Sequence, residues 1–538
     1  MKTAVIVWDR KDSRIDSTVG FRQEENGRKE IMKGKTWKVA TERWYERYIS
    51  LILLILGIGI YAGRFIWLAY TQIPSFDGSM NLQVAISLLT TGKYATLYNG
   101  GTVFDGRIQT GAPVLFLISA MFKLFGIGSF QALMINVFYI MLLVFFLAKI
   151  SKKFDAWKEI ILFFLAMTIT TEHFSELSLG IYGEIPTLAL FVGTVYFLMQ
   201  AQERKKSGYW FLSGFFFGLA YLTKTVILIA VPALAIVFLS KWLLEKKMGI
   251  RNLLLWITGV ILPVFLFEIY KFLQLGRNAY VSFWTSQFSN ILRQAGVKSG
   301  YADTPDLLEK LFLHAQTFAS YFYLDRWILW TVLILNFVWF VVKVVKRKKL
   351  EYTDILELVA YSYFGWWLLI TPTEKAWGRR ILIGMVILQW LTSTKIFLLI
   401  NKIKLENWIK DAVKGCLAVI AVFIISTKLY RPDDTEKTAC LELAKVVQEK
   451  VENENAIICG VEWWQAPTIS FYSHIPFYDL NQLNMEEIDV PVYFVADIEW
   501  VGLSGMEPED LPYEVEEVFK TQNREMKLFR VTNTVGAK

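Results

Sequence analysis

Long runs of apolar residues are the feature that most limits how this chain can fold. About 20 apolar residues in a helix cross a hydrocarbon core roughly 30 Å thick, and this 538-residue chain is 54% hydrophobic. Backbone polar groups in lipid must pair within their own segment, so each run is expected to be a helix. Eleven such runs lie near residues 48–71, 129–149, 158–172, 184–201, 209–223, 226–243, 253–272, 326–345, 354–371, 380–400 and 413–428. The sequence therefore predicts a polytopic α-helical membrane protein with about 11 transmembrane helices.

The positions of the basic residues predict how the chain is oriented. The net charge is +8, and Lys and Arg gather in the connectors between alternate spans, at 151–153, 203–206, 245–247, 343–349 and 401–404. Such clusters are typical of cytoplasmic loops, so topology explains the basicity and no nucleic acid partner is expected. With the N-terminus inside, the odd number of spans places the C-terminus outside. We expect a multi-pass protein of the plasma membrane.

This topology divides the chain into three regions. A polar cytoplasmic segment, 1–47, precedes a transmembrane domain, 48–428, and an extracytoplasmic domain, 429–538. Two external loops of the transmembrane domain, 72–128 and 273–325, are too long to be simple turns. The first contains the amphipathic stretch APVLFLISAMFKLFGIG, which is expected to lie as a helix at the membrane surface.

The C-terminal region has the pattern of a small α/β domain. The segment TEKTACLELAKVVQEKV shows helical spacing, whereas AIICGVEWWQAPTISFYS and VPVYFVAD have the composition of strands. Cys440 and Cys459 both fall in this domain. They could pair if the compartment is oxidising, and both the paired and the free state agree with the sequence.

Three acidic residues stand at or near the predicted outer ends of the spans. Asp77 in IPSFDGSM follows the first span, Asp105 lies in TVFDGRIQTG, and Glu184 in YGEIPTLAL opens the fourth span. An Asp before Gly is common in turns, and an acid at the start of a helix offsets the helix dipole. All three are nevertheless expected at one membrane depth, where ionisable groups mark functional sites. We therefore predict that they share a site.

Basic residues on the same predicted side form a complementary set. Lys224 lies between two short spans, Arg379 and Arg380 open the tenth span, and Arg107 follows Asp105 by two positions. Positive charge is disfavoured on the outer side, although Lys and Arg side chains also snorkel to lipid headgroups. At this depth the four cations predict an anionic ligand such as lipid phosphate or pyrophosphate.

Motifs of nucleotide hydrolysis and of several metal or serine hydrolases are missing from the sequence. There is no G-x-x-x-x-G-K-[ST] phosphate loop, no H-E-x-x-H and no nucleophile elbow, and the three histidines form no metal-ligand motif. A nucleotide-driven pump is therefore not expected.

Several motifs occur in the order found in one superfamily of membrane enzymes. An acid soon after the first span is followed by LLTTGKY, TGAPVLFLISAMFKLFG, YGEIPTLAL, FFFGLAYLTK and an arginine pair at the mouth of a late span. In this layout, residues 48–400 resemble the GT-C superfamily of glycosyltransferases, which use polyprenyl-phosphate sugars. Its members include aminoarabinose transferases, dolichyl-phosphate-mannose protein mannosyltransferases and RgtA/B/C/D-like bacterial proteins.

The resemblance implies roles for the acidic residues. Asp77 matches the catalytic acid that the family carries in its first external loop, and Asp105 and Glu184 match further acids that some members bring to the site. The three acids are also the candidates for holding a divalent cation, Mg or Mn. Many members carry two adjacent acids where this chain has Asp77-Gly78, and this departure argues against a close transfer of metal-binding roles.

The reaction implied by the resemblance is an inverting glycosyl transfer. A polyprenyl-phosphate donor would give its sugar to a polar acceptor of the cell envelope (a glycan, lipid or protein) on the outer face of the membrane. One carboxylate takes the proton of the acceptor, and cations hold the charge of the leaving phosphate. The candidates for this phosphate-binding role are Lys224, Arg379, Arg380 and Arg107. No covalent intermediate is needed, which suits a single base.

Two other functions are compatible with a membrane protein of this kind. One keeps the fold but transfers phosphoethanolamine or a similar headgroup, which would require a Thr nucleophile and a His-rich metal site. The other is a transporter or flippase of lipid-linked sugars, which predicts polar residues at mid-bilayer depth and spans broken by Gly or Pro. The polar residues here concentrate at the outer ends of the spans, which favours catalysis at the membrane surface.

Overall fold

A computed structural model describes most of the chain beyond the N-terminal segment 1–47. The described residues are 48–99, 101–106, 108, 110–170, 172–246, 248–294, 307–321, 326–347, 349–370, 378–427, 435–461, 466–497, 508–522 and 525–534. The predicted cytoplasmic segment and Arg107 lie outside them.

The part that precedes the C-terminal domain is a bundle of helices. In chain order they are α1 (Ser50–Thr71), α2 (Phe76–Thr90), α3 (Ala112–Phe125), α4 (Ser129–Ser151), α5 (Trp157–Ile169), α6 (Glu172–Leu179), α7 (Glu184–Arg204), α8 (Gly208–Thr223), α9 (Val231–Leu239), α10 (Ile250–Gln294), α11 (Leu307–Tyr321), α12 (Arg326–Arg347), α13 (Asp354–Gly365), α14 (Gly378–Lys402) and α15 (Asn407–Thr427). A 3₁₀ turn (Thr225–Ala230) precedes α9 and a π turn (Ser240–Leu244) follows it, and a second π turn (Trp366–Ile370) follows α13.

Every predicted span coincides with a helix. Among the described residues, seven helical segments are long and apolar enough to cross a membrane: Ser50–Thr71, Ser129–Ser151, Glu184–Arg204, Thr225–Leu244, Ile250–Ser289, Trp327–Arg347 and Arg379–Lys402. The other predicted spans correspond to α5, α8, α13 and α15, which are helical but shorter or more charged. The prediction of a polytopic helical membrane protein is confirmed.

The described residues of the region expected as a second large external loop, 273–325, lie in α10 and α11. Helix α10 continues to Gln294 with a break at Gly276, where φ is 71°, a value that favours glycine. Beyond this break the chain folds back, because Tyr280 Oη and Trp284 Nε1 both donate to Glu268 Oε2, at 2.8 and 3.0 Å. The position of this segment outside the membrane stays a prediction.

The two ends of the bundle differ in charge. Basic connectors follow the C-terminal ends of α4, α7, α12 and α14. In the connector after α4, Lys153 Nζ lies 3.5 Å from Oε2 of Glu351, which follows the end of α12. At the opposite end, α1 and α8 end and α7 and α14 begin. Acidic and basic site candidates lie at this second end, which we call the site end.

Glycines allow α8 and α10 to pack closely. A Cβ at Gly214 would collide with the carbonyl oxygen of Trp256, and one at Gly218 would collide with that of Val260. On the facing helix a Cβ at Gly259 would strike the backbone of Phe211. Small residues at a helix–helix contact are typical of membrane proteins. This contact fixes α8, whose C-terminal end carries Lys224 into the site end.

The C-terminal region folds into an α/β domain, as predicted. Two helices, α16 (Thr435–Glu454) and α17 (Ala466–Ser473), accompany the strands β1 (Ile457–Gly460), β2 (Tyr478–Asp479), β3 (Val492–Asp497), β4 (Tyr513–Lys520) and β5 (Met526–Thr534). The sheet order is β2-β1-β3-β5-β4. Strand β1 pairs in parallel with β2 and β3, whereas β5 pairs antiparallel with β3 and β4.

Details of the C-terminal domain differ from the expectation. The stretch AIICGVEWWQAPTISFYS is a strand only over β1, and its second half forms α17, whose second residue is Pro467. Proline is favoured in the first turn of a helix, a signal that the apolar pattern of this stretch concealed. Cys440 and Cys459 are both buried and form no disulfide with each other.

The C-terminal domain packs directly on α2. Ser79 Oγ donates to Thr468 Oγ1 at 3.2 Å, and Met80 belongs to an apolar cluster with Ala466 of α17. In the first external loop, Tyr98 Oη donates to Asp479 Oδ2 at 2.7 Å. Helix α2, which begins one residue before Asp77, is therefore held between the bundle and the C-terminal domain.

Candidate active site

The start of α2 positions Asp77. Ser75 is the N-cap of this helix, and its side chain accepts a hydrogen bond of 3.2 Å from the backbone N–H of Gly78. Asp77 thus lies in the first helical turn, where the helix dipole stabilises a carboxylate, and not in a turn between elements. Arg379 Nη1 donates to Asp77 Oδ2, and each of the two side chains is only 13% exposed.

The side chain of Tyr182 contacts the arginine of this ion pair. The guanidinium carbon of Arg379 lies 5.2 Å from the centre of the Tyr182 ring, within the range of a cation–π interaction. Burial raises the pKa of Tyr182 to about 12, while a hydrogen bond with Ser75 opposes this increase. The phenol therefore keeps its proton at neutral pH, and it connects the guanidinium of Arg379 with the N-cap of α2.

A second ion pair joins α7 to the end of α8. Lys224 Nζ donates to Glu184 Oε1 and to the backbone carbonyl of Tyr182, both at 2.6 Å. Burial lowers the pKa of Lys224, an effect that the charge of Glu184 opposes. Glu184 is 5% exposed, and its Oε2 has no hydrogen-bond partner among the described residues. Its charge also acts on Arg379, so the two ion pairs lie in one electrostatic environment.

The turn between α6 and α7 connects these elements. The carbonyl of Ile181 accepts hydrogen bonds from Asn81 Nδ2 of α2 at 2.6 Å and from Thr110 Oγ1 of the external loop at 2.7 Å. Gly183 has a φ of 88°, and a Cβ there would come within 3.3 Å of the carbonyl oxygen of Thr223. Glycine is therefore the residue that allows the turn to bring Tyr182 and Glu184 to the same site.

Sequence reasoning did not identify Tyr182, Asn81 or Thr110. Tyr182 stands between two glycines in SLGIYGE, a pattern that marks a tight turn but does not say which helices the turn touches. Asn81 is fully buried in α2. A buried amide requires hydrogen-bond partners, so an Asn between the apolar residues Met80 and Leu82 is the signal that could have found it.

Arg380 lies next to Arg379 at the start of α14. Its guanidinium carbon is 5.1 Å from the centre of the Trp367 ring, in the π turn after α13. Its charge also acts on Lys224, and it contributes to the lowered pKa of that lysine. Arg380 therefore belongs to the same group of charges as the two ion pairs.

Asp105 lies in the external loop and is hydrogen-bonded to another residue of this loop. Thr96 Oγ1 donates to its Oδ2 at 3.1 Å, and the carboxylate is 7% exposed. The preceding residue, Phe104, stacks on Tyr94 with ring centres 4.8 Å apart. The ammonium of Lys271 lies 5.7 Å from the centre of the Phe104 ring, so the loop is held against α10.

The acidic residues do not fit a divalent cation. Among the described residues, no three His, Cys, Asp or Glu side chains lie close enough together to hold a metal ion. Asp77 is paired with Arg379 and Glu184 with Lys224. A divalent cation would require carboxylate oxygens that converge on one point, whereas here each of these two carboxylates faces a cation.

The described charges of the site are two carboxylates and three basic side chains. Asp77 pairs with Arg379 and Glu184 with Lys224, and Arg380 lies in the same group of charges. Guanidinium and ammonium groups gathered in one place are suited to an anion such as a phosphodiester. Such a ligand would reach the site at the ends of the apolar helices.

The sequence of part of the bundle is similar to that of a known protein family. The sequence model of the dolichyl-phosphate-mannose-protein mannosyltransferase family matches residues 111–256, which include Glu184 and Lys224. No curated protein sequence matches the chain significantly.

Solved structures of ArnT from Cupriavidus metallidurans share the fold. The structure bound to undecaprenyl phosphate has a TM-score of 0.58 at 11% identity, over 91% of this chain and 99% of that one. The apo structure has a TM-score of 0.56 at 10% identity, over 93% of this chain and all of that one (100%). The family match and this fold confirm the predicted resemblance to the GT-C superfamily and the prediction of a glycosyltransferase.

Proposed function

We propose that this chain, a glycosyltransferase with the GT-C fold, moves a sugar from a polyprenyl-phosphate donor to a polar cell-envelope acceptor on the outer face of the membrane, with inversion. The observation that carries the proposal is the pair of Asp77 and Arg379 at the ends of apolar helices. It provides a base and a phosphate-binding group side by side at the depth where a lipid headgroup lies.

Asp77 is the proposed general base. In one displacement step the acceptor oxygen forms a bond with the anomeric carbon, and the bond between that carbon and the phosphate oxygen breaks. The electron pair of this bond leaves with the polyprenyl phosphate, and the acceptor proton passes to Asp77. General base catalysis contributes on the order of 10²–10⁴-fold to such a rate.

Arg379, Arg380 and Lys224 are proposed to bind the donor phosphate. The phosphodiester of a polyprenyl-phosphate sugar carries one negative charge, which gains a second as the sugar leaves. The three cations would stabilise this additional negative charge, because fixed cations in a partly buried site are effective in stabilising a developing charge. The undecaprenyl phosphate bound in the ArnT structure supports this donor class.

Glu184 is proposed to orient Lys224, with which it pairs at 2.6 Å. Asp105 and Arg107 stand in the first external loop, and we propose that this loop faces the acceptor. The described part of the loop contacts α10 through Tyr94, whose backbone N–H donates to Gln274 at 3.0 Å. An acceptor that enters from the aqueous side would pass this loop before it reaches Asp77.

The outer face is proposed from the distribution of charge. The basic connectors lie at the end of the bundle opposite the site end. Because basic connectors are typical of the cytoplasmic side, the site end and the C-terminal domain would face outward. Lipid-linked sugar donors and envelope acceptors would meet there.

A transfer assay tests the proposed function. Purified protein in lipid nanodiscs would be incubated with a panel of labelled polyprenyl-phosphate sugars and an envelope extract. We expect release of polyprenyl phosphate together with transfer of label to the extract, and a product anomeric configuration opposite to that of the donor. Retention of configuration, or no release from any donor, would contradict the proposal.

A further inference from the structure

Two of the three cations proposed to bind the donor phosphate already have carboxylate partners. Arg379 Nη1 donates to Asp77 Oδ2, and Lys224 Nζ donates to Glu184 Oε1. Both pairs are largely buried, so neither charge is satisfied mainly by water. The structure therefore describes a state in which the base and the phosphate-binding arginine neutralise each other.

An acceptor hydroxyl that approaches Asp77 Oδ2 must share this oxygen with Arg379, whose positive charge the carboxylate neutralises. The guanidinium presents its donors in a planar fork, and a phosphate that takes the donor facing Asp77 would release this oxygen. The guanidinium of Arg379 lies over the ring of Tyr182, so the Arg379 side chain could shift across this ring and retain its cation–π contact.

We infer that the donor phosphate and Asp77 compete for Arg379, so that binding of the donor frees Asp77 to act as the base. This inference rests on the proposed function. It predicts an ordered reaction in which the donor binds first, and in which the site without donor does not activate an acceptor hydroxyl or a water molecule. The site itself would thereby limit futile proton transfer.

Competition makes an unusual prediction for Asp77→Asn. This variant keeps the shape of the side chain but removes the charge that holds Arg379. It should therefore bind undecaprenyl phosphate more tightly than the wild-type protein, by about tenfold, which corresponds to roughly 1.4 kcal/mol. Damage to the site would give the opposite result, so misfolding cannot imitate the expected effect.

A general electrostatic effect must be separated from competition for one arginine, because removal of any nearby negative charge favours a phosphate. A double-mutant cycle with Arg379→Ala makes this distinction. Competition predicts that Asp77→Asn no longer tightens binding when Arg379 is absent. Glu184→Gln is the matched control: its partner is Lys224, so any tightening that it causes should persist largely in the Arg379→Ala background.

The experiment measures the dissociation constant of undecaprenyl phosphate for the full-length protein in nanodiscs, for the wild type, the three single variants and the two double variants. Tighter binding by Asp77→Asn that depends on Arg379 supports the inference. Unchanged or weaker binding by Asp77→Asn, or tightening of equal size without Arg379, overturns it while the proposed function stands. If the wild-type protein binds no undecaprenyl phosphate, both fail.

Discussion

At the scale of single residues, the site depends on a few buried polar groups that hold one another. Tyr182 contacts Arg379 through its ring, Lys224 through its carbonyl and the N-cap of α2 through its hydroxyl. Three elements that are distant in sequence therefore meet at one residue. Its ring and its hydroxyl have separate tasks, which substitutions can distinguish.

Substitutions of Tyr182 test the support for Arg379. Tyr182→Phe keeps the ring and should leave the affinity for undecaprenyl phosphate within about twofold, whereas Tyr182→Leu loses a cation–π contact worth about 0.5–2 kcal/mol and should weaken binding by roughly 2- to 30-fold. Measurement of the two dissociation constants checks this. Equal affinities for the two variants would show that the ring does not support Arg379.

The charge of Lys224 should make donor binding depend on pH. Burial lowers the pKa of Lys224, so this lysine loses its positive charge at a lower pH than an ordinary lysine. Donor affinity should therefore fall as the pH rises, below the range in which exposed lysines titrate. Tyr182, with its pKa raised to about 12, stays neutral there. Lys224→Arg should shift the decline to higher pH, as a titration of undecaprenyl phosphate binding would show; an unshifted decline would exclude Lys224 as its source.

The Glu184–Lys224 pair also predicts an effect on stability. Lys224→Met leaves the buried carboxylate of Glu184 without its cation, and loss of one partner of a buried pair costs about 3–5 kcal/mol. We expect a clearly lower Tm for this variant and recovery of most of the loss in the double variant Glu184→Gln/Lys224→Met. Thermal unfolding in detergent measures both. If the double variant is as unstable as the single one, the pair is not the origin of the loss.

At the scale of elements, α2 is the part of the fold on which the site depends most. Its N-terminal turn carries Asp77, Asn81 holds the turn between α6 and α7, and Ser79 contacts Thr468 of α17. The C-terminal domain thus contributes to the position of Asp77, although none of its described residues belongs to the group of site charges. A distortion of about 1 Å at a reacting group can lower a rate by up to 10²-fold.

Thr468→Val tests this contribution of the C-terminal domain. The substitution keeps the shape of the side chain and leaves the hydroxyl of Ser79, which is fully buried, without this partner. We expect the turnover rate to fall by about 3- to 10-fold, with little change in undecaprenyl phosphate affinity, because Asp77 moves more than Arg379. A change in affinity without a change in turnover would assign the contact to donor binding instead.

At the scale of the whole molecule, the sequence predicted most of the bundle but only part of the site. Runs of apolar residues indicate directly which segments are buried in lipid, so the sequence predicts the spans to within a few residues. The contacts of Tyr182 and Asn81 depend on which helices meet at one end of the bundle, and a linear pattern does not contain this information. The same limit applies to the predicted metal site. The sequence grouped Asp77, Asp105 and Glu184 by their expected depth in the membrane, whereas the structure pairs Asp77 and Glu184 with cationic side chains.

The orientation of the molecule in the membrane remains a prediction and can be measured by cysteine labelling. In a background without the three native cysteines, Asp489→Cys in the C-terminal domain and Asp155→Cys at the basic end are both exposed positions. A membrane-impermeant maleimide should label position 489 in intact cells and position 155 only after permeabilisation. The reverse pattern would place the site end on the cytoplasmic side.

The rate of sugar transfer by Asp77→Asn is the most direct test of the central claim that Asp77 is the base of a glycosyltransferase. With a donor and acceptor that the wild-type protein uses, single-turnover transfer at saturating donor should fall by about 10²–10⁴-fold. The control Asp155→Asn removes an exposed carboxylate at the opposite end of the bundle and should transfer at the wild-type rate. Transfer by Asp77→Asn at the rate of this control would contradict the claim.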